Sequence, residues 1–259
     1  MTLPLHAATT GVIAGSGLLL WLAEGGIPFF RERISRSSHA AANLGLGALN
    51  LIVLLPSGIA TAAILGSSGA YFKGVASFVT GAIPRSLFIL LMLDLWMYLW
   101  HRLNHEFPLL WRLHSVHHSD WQLDVTSSWR FHPGEILLSE LFRLPFLVLL
   151  GIGVQDLILY NLLMTPVIQL HHSNIRLPEP LDRLLRIIIP TPLLHRIHHS
   201  PSRTEHNANY GAMLSLWDRL SGTLTVRPVT PASPVGLEGE NSPTRQRISS
   251  LITSPLRNL

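Results

Sequence analysis

The segments "HSVHH" (114–118) and "HRIHH" (195–199) repeat one pattern, with histidine at i, i+3 and i+4. On a helix those positions share a face, so each segment offers three imidazoles in one direction. "HRLNH" (101–105) adds His101 and His105 at i, i+4. With His171 and His172 of "HHSN" and His132 of "RFHP", eleven of the fourteen histidines lie in five short motifs. Incidental histidines on solvated helix faces would not recur at one spacing. A fold that serves this pattern must turn several helix faces toward a common centre.

Convergent imidazoles suit Zn, Cu, Fe or Ni. A catalytic zinc takes three protein ligands and a water, and the three spaced clusters hold eight histidines, so two metals suit them better. The Glu-x-x-His pairs of a carboxylate-bridged bundle site are absent. The chain has no cysteine, which excludes disulfides, thiolate zinc sites, iron–sulfur clusters and cysteine nucleophiles.

The clusters sit beside long apolar runs. Charged residues make up 13% of the chain, against about 25% in ordinary soluble domains. Four apolar stretches stand out: about Thr10 to Ala23, Ala41 to Leu65 broken by Pro56, Val75 to Trp100, and Ile136 to Leu170. A membrane crossing takes about 20 residues, so the last stretch is too long for one span, and Gly151 to Asp156 divides it into an expected hairpin. The spacing predicts an all-α polytopic membrane bundle of about four segments. Met1 to Thr10 carries no lysine or arginine, which argues against a cleaved signal peptide.

The 259-residue chain is expected to divide into N-terminal membrane helices (1–85), a histidine-rich region that would carry the chemistry (86–227) and a tail (228–259) rich in Pro, Ser, Thr and Gly that is expected to be disordered. The pI near 10.1 does not imply nucleic acid, because no basic block is interleaved with polar and aromatic residues. Arginines instead flank the apolar runs. On the positive-inside rule they place the histidine motifs in the cytoplasm.

Hydrolysis of a polar substrate has no need of apolar helices. Oxidation of a lipid C–H bond by metal-activated O2 does. The contrasting reading is a non-catalytic membrane metal carrier, whose ligands would line an intramembrane pathway. A metal-dependent hydrolase would want a glutamate base beside its histidine pair.

The motifs "DLWMYLWHRLNH", "LWRLHSVHHS", "WRFHPGE", "QLHHSNI", "PLLHRIHHS" and "NYGAMLSLWDRLSGT" occur in that order between residues 94 and 223. In these the chain resembles the fatty acid hydroxylase / sterol desaturase superfamily of membrane di-iron enzymes. The resemblance implies a cytosolic helical cap with a histidine-only centre of two non-haem iron ions. It also implies O2-dependent hydroxylation or desaturation of a sterol, fatty acyl or related alkyl chain, with electrons from an external donor protein. Carried over by motif, the ligands would be His101, His105, His114, His117, His118, His172, His195, His198 and His199. His132 and His171 are candidates for a further place. The sequence departs from the family pattern at Ser221 and at His206–Asn207.

Asp94, Tyr98 and His101, at i, i+4 and i+7, share a helix face. A carboxylate inside an apolar run is costly and usually functional, so Asp94 is expected to hydrogen-bond a ligand imidazole. Its bland alternatives are capping a neighbouring helix or pairing with arginine. Tyr98 is expected beside it or as an interfacial anchor, and Asn209 is expected as a further supporting residue. His6 and His39 fall outside every motif and are read as bland. Trp96, Trp100 and Trp111 read as an interface belt, and Arg112 and Arg196 as solvated or lipid-phosphate contacts.

Overall fold

The computed structural model describes residues 2–31, 35–69 and 72–257, with side chains from residue 8. His6, Arg33 and the last two residues of the tail lie outside the described side chains. Among the described residues the chain is helical, and its one β contact is an isolated antiparallel bridge, Pro28 to Ile175. Five longer helices form the frame: α1 (Thr2–Gly26), α2 (Arg36–Ser68), α3 (Ala82–Glu106), and, after α4 (Pro108–His118), α5 (Pro133–Leu150) and α6 (Val154–His172). Short helices follow: α7 (Glu179–Leu185), α8 (Pro192–His198), α9 (Arg203–His206), α10 (Leu216–Leu220) and α11 (Ile248–Thr253). Proline stands in the first turn of α4, α5, α7 and α8, where its missing N–H costs nothing.

α2 shows how the apolar pattern is used. Its buried positions Ala40, Asn43, Leu46, Gly47 and Asn50 form one stripe, facing α5 and the 3-10 turn Val125–Trp129. Leu51, Ile52, Leu55 and Ile59 point outward, exposed, as lipid-facing side chains would. α2 and α3 are long and apolar enough to cross a membrane, two helices among the described residues where the sequence led to about four. α5 carries Glu135, Glu140 and Arg143, and α6 is interrupted by polar residues such as Gln155, Asp156 and Gln169, so neither reads as a continuous span.

The long fourth stretch does break at Gly151, which ends α5 in a left-handed conformation with φ 69°. A Cβ there would fall 2.2 Å from the carbonyl of Lys73, so only glycine fits this crossing. The two halves do not form a paired hairpin. α5 lies against α2, and α6 against α1.

The tail is a correction. It does not trail away as an unfolded segment. Leu251 on α11 is fully buried against Leu46 of α2 and Val116 of α4. Gln246 accepts from Arg130 Nη2 at 2.8 Å and donates to the carbonyls of Ser119 and Glu240. The Gly236 N–H donates to the carbonyl of His199 at 2.8 Å. A few anchors outweigh a composition that by itself favours disorder. Leu251→Ala is expected to destabilise the detergent-solubilised protein by about 2–4 kcal/mol, read as a lowered thermal midpoint. A free tail would leave the midpoint unchanged.

Candidate metal centre

The histidine motifs come from four helix ends. The last turns of α3 present His101 and His105, and α4 presents His114, His117 and His118. α6 ends on His171 and His172, and α8 carries His195 and His198 and is closed by His199. Each i, i+3, i+4 set does share a face, so the four ends meet. Ligand atoms of His101, His105, His114, His118 and His198 lie within 4.8 Å of one another, as do those of His117, His172, His195 and His199. The two groups abut: the rings of His118 and His199 stack at 4.3 Å, and those of His114 and His117 are 5.4 Å apart.

In five of the nine rings a hydrogen bond fixes which nitrogen is free. Nδ1–H donates to the carbonyl of Tyr210 from His101 (2.8 Å), of Ala208 from His198 (2.7 Å), of Arg130 from His117 (3.1 Å) and of Ile168 from His172 (2.8 Å). His114 Nδ1–H donates to Glu135 Oε1 at 2.8 Å. In a neutral ring the Nε2 atom then carries a lone pair. Yet Nε2 of His117 faces Nε2 of His172 at 3.1 Å, and Nε2 of His101 faces Nε2 of His198 at 3.0 Å. Two lone pairs at that distance repel, and neither ring has a second proton to share. His172 and His195 approach at 2.9 Å, and His195 and His199 at 3.1 Å. Ring nitrogens at about 2.0–2.1 Å from one cation, at right angles, stand about 3.0 Å apart.

The remaining donors agree. His114 Nε2 and both nitrogens of His105 and His118 are buried with no hydrogen-bond partner, which is costly unless something binds them. Burial also holds His117, His118, His195, His198 and His199 well below the usual histidine pKa, and the neutral ring is the form that ligates. On these grounds the nine residues fit one cation in each group.

Residues 86–223 match the family described as fatty acid hydroxylase. The chain belongs to this family. Among curated relatives, it is 35% identical over 156 residues to an ornithine lipid hydroxylase, OlsE, of Rhizobium tropici, a match covering 58% of this chain and 45% of the relative. It is 31% identical over 131 residues to the alkylglycerol monooxygenase of Homo sapiens, covering 50% and 28%. It is 29% identical over 150 residues to the cholesterol 25-hydroxylase of Homo sapiens, covering 55% and 52%. The chain thus spans about half or less of the length of these relatives. No solved structure matches it.

Within the matched fatty acid hydroxylase region, the other expected site residues fall differently. His171 is buried with its ring 4.1 Å from that of His195, but lies outside both groups. His132 caps α5: its Nδ1 accepts from the Gly134 N–H and its Nε2 donates to the carbonyl of Ile252, both at 3.0 Å. Both its nitrogens are committed, so it is no ligand. Asp94 touches no imidazole. Tyr160 Oη, Met213 N, Leu214 N and Trp217 Nε1 donate to it at 2.9–3.1 Å, and it anchors the turn leading into α10. It thus neither caps a helix nor pairs with arginine: the N–H groups of the turn before α10 satisfy the buried carboxylate.

Tyr98 is buried rather than interfacial, its hydroxyl 3.0 Å from Thr223 Oγ1. Asn209 stands at φ 57° and holds the carbonyls of Leu194 and Thr225 through Nδ2 and the N–H of Thr225 through Oδ1. It lies between Ala208 and Tyr210, whose carbonyls orient His198 and His101. Trp96 stacks with Phe146, Trp100 lies against Phe142, and Trp111 lies 5.0 Å from His105, so none is a simple belt residue. Arg196 is buried rather than solvated, donating to the carbonyls of Ser173 and Ile175.

Three supporting residues escaped the sequence. Glu135 holds His114 and accepts from Asn104 Nδ2 at 3.4 Å. It sits three positions after His132 in a motif whose histidine drew the attention. Arg130, fully buried, donates to the carbonyl of Val116, to Asn43 Oδ1 and to Ser119 Oγ while its own carbonyl orients His117. His39, read as bland, meets Asp124 Oδ2 at 2.9 Å and Asp120 Oδ1 at 2.8 Å. Both its ring nitrogens face carboxylates, so it is an imidazolium pinning the start of α2 to the segment after α4.

A cavity of about 80 Å³ meets the site, lined by Met97, Trp100, Phe131, Ile168 and Ala212 together with histidines of both groups. Removing a partner that orients a ligand costs about 10–100-fold in metal affinity. Glu135→Ala is therefore expected to weaken binding in the His114 group by about that factor, measured by competition with a chromophoric chelator.

Proposed function

We propose that this chain is a membrane-bound di-iron oxygenase that hydroxylates or desaturates a lipid such as a sterol, fatty acyl or related alkyl chain. The observation that carries this reading is the pair of abutting histidine groups, each with ring lone pairs turned on one another, opening on an apolar-lined cavity. His101, His105, His114, His118 and His198 would hold one iron, and His117, His172, His195 and His199 the other. Iron bound there would supply O2 activation by two neighbouring metals. Monooxygenation uses one O2, two electrons and two protons per hydroxyl formed and releases water, and the electrons come from a separate donor protein.

The protein's own part is positioning and exclusion. The carbonyls of Tyr210, Ala208, Arg130 and Ile168 and the carboxylate of Glu135 hold the Nδ1 protons, so every Nε2 they leave is turned inward. Met97, Trp100, Phe131, Ile168 and Ala212 make an apolar wall against which an alkyl segment lies and from which water is kept. α1 and the stretch α5–α6, counted as one segment broken at Gly151, lie with the spans α2 and α3 in the bilayer, giving about four segments, and the histidine ends face the cytoplasm under the arginine bias. The names of the relatives, hydroxylases and monooxygenases of lipids, support the reaction class.

Purified protein expressed with iron is expected to carry two iron ions per chain, and His117→Ala to lose iron and lipid oxidation while still inserting into the membrane. Iron is read by elemental analysis and products by mass spectrometry of lipids. Iron-loaded protein that consumes no O2 with a reductant and lipid extract would point to the carrier reading instead.

A further inference from the structure

Six large apolar side chains lie bare on α7, the turn that follows it and α10. Leu184, Ile187, Ile188 and Leu220 are 64%, 59%, 63% and 71% exposed, and Leu181 and Leu216 are exposed beside them. They form one patch, because α10 is tied to the segment after α7. The Ser215 hydroxyl donates to the carbonyl of Arg186, the Ser215 N–H to that of Ile188, and Arg219 Nη2 to that of Arg186. α7 is amphipathic. Glu179 and Arg183 pair on one side, while Leu181 and Leu184, at i, i+3, occupy the other. A soluble surface seldom carries such a contiguous patch without a partner.

The partner follows from where the patch is moored. Asp94 accepts from Met213 N, Leu214 N and Trp217 Nε1, so α10 sits on α3 at the level of Asp94. On α3, Leu87, Leu91 and Asp94 fall at i, i+4 and i+7, on one face, and Leu87 and Leu91 are exposed. The apolar flank of α3 thus runs directly into the patch. Asp94 is twelve residues from the start of α3, about 18 Å at 1.5 Å per residue, well short of the ~30 Å hydrocarbon thickness.

We propose that the face formed by Leu181, Leu184, Ile187, Ile188, Leu216 and Leu220 is a membrane-contact surface that dips the cap into the bilayer beside α3. The Glu179–Arg183 pair faces water and the leucine–isoleucine face replaces lipid tails, as interfacial helices do. Gly211 and Ala212, which line the cavity, then lie at the bilayer edge, and a lipid reaches the histidines sideways without leaving the membrane. The inference rests on the reading of α3 as a membrane span, and the test separates the two.

The chain has no cysteine, so single substitutions report cleanly. Ile188→Cys, Leu220→Cys, Leu87→Cys on α3 and Asn241→Cys on the exposed tail are labelled with bimane and reconstituted with or without brominated phosphatidylcholine. Positions 188 and 220 are expected to lose emission to the extent seen at 87, with 241 unaffected. Quenching at 87 with none at 188 and 220 overturns the proposal, as does protection of 188 and 220 that appears only when chains self-associate. Quenching at none of them overturns the span as well as the patch.

Discussion

The site depends on a repulsion. His117 and His172, and likewise His101 and His198, turn unprotonated nitrogens on each other at about hydrogen-bond distance with no proton between them. Left alone, such an arrangement would push the rings apart or draw in protons, and burial opposes the protons. Positive charge placed among the nitrogens converts the same geometry into attraction. The geometry is thus that of rings placed around a cation, and the surrounding architecture sets where each ring stands.

That restraint is backbone-based. Four of the ligand rings lean on main-chain carbonyls, and a fifth on Glu135. A carbonyl is fixed by its helix or turn, so it cannot swing away as a side chain would. The turn that holds two of them is itself fastened to α3 through Asp94 and closed by Tyr98, Thr223 and Asp218. α2 joins the same scaffold from the other side, through His39 and Asn43.

That the histidines would converge was legible in the sequence because helical spacing is a local property, though not how they divide into two groups, which splits each H-x-x-H-H triplet. Three residues at i, i+3 and i+4 share a face wherever the helix goes, and the motif order supplied the rest. The supporting residues were not, because their partners are distant in the chain. Nothing near Asp94 says that its acceptors will be filled by Met213, Leu214 and Trp217 rather than by a histidine. Glu135 is one position among ordinary helix-start residues until His114 is seen across from it, and His39 has no motif at all. The tail misled for the opposite reason. Its composition is that of a linker, while a few residues such as Leu251, Gln246, Gly236 and Ile252 attach it. The apolar runs located the helices and the break at Gly151, but not the pairing of α5 with α2 and α6 with α1, which is set by packing.

Asn209 has a mechanical consequence. Its left-handed backbone bends the chain so that the peptide carbonyls on either side of it, those of Ala208 and Tyr210, grip two different rings of one ligand group. His198 and His101 come from helices far apart in the chain, yet they hang from neighbouring links of a single turn. The spacing of the two rings is therefore set by the geometry of one turn rather than by α3 and α8 independently.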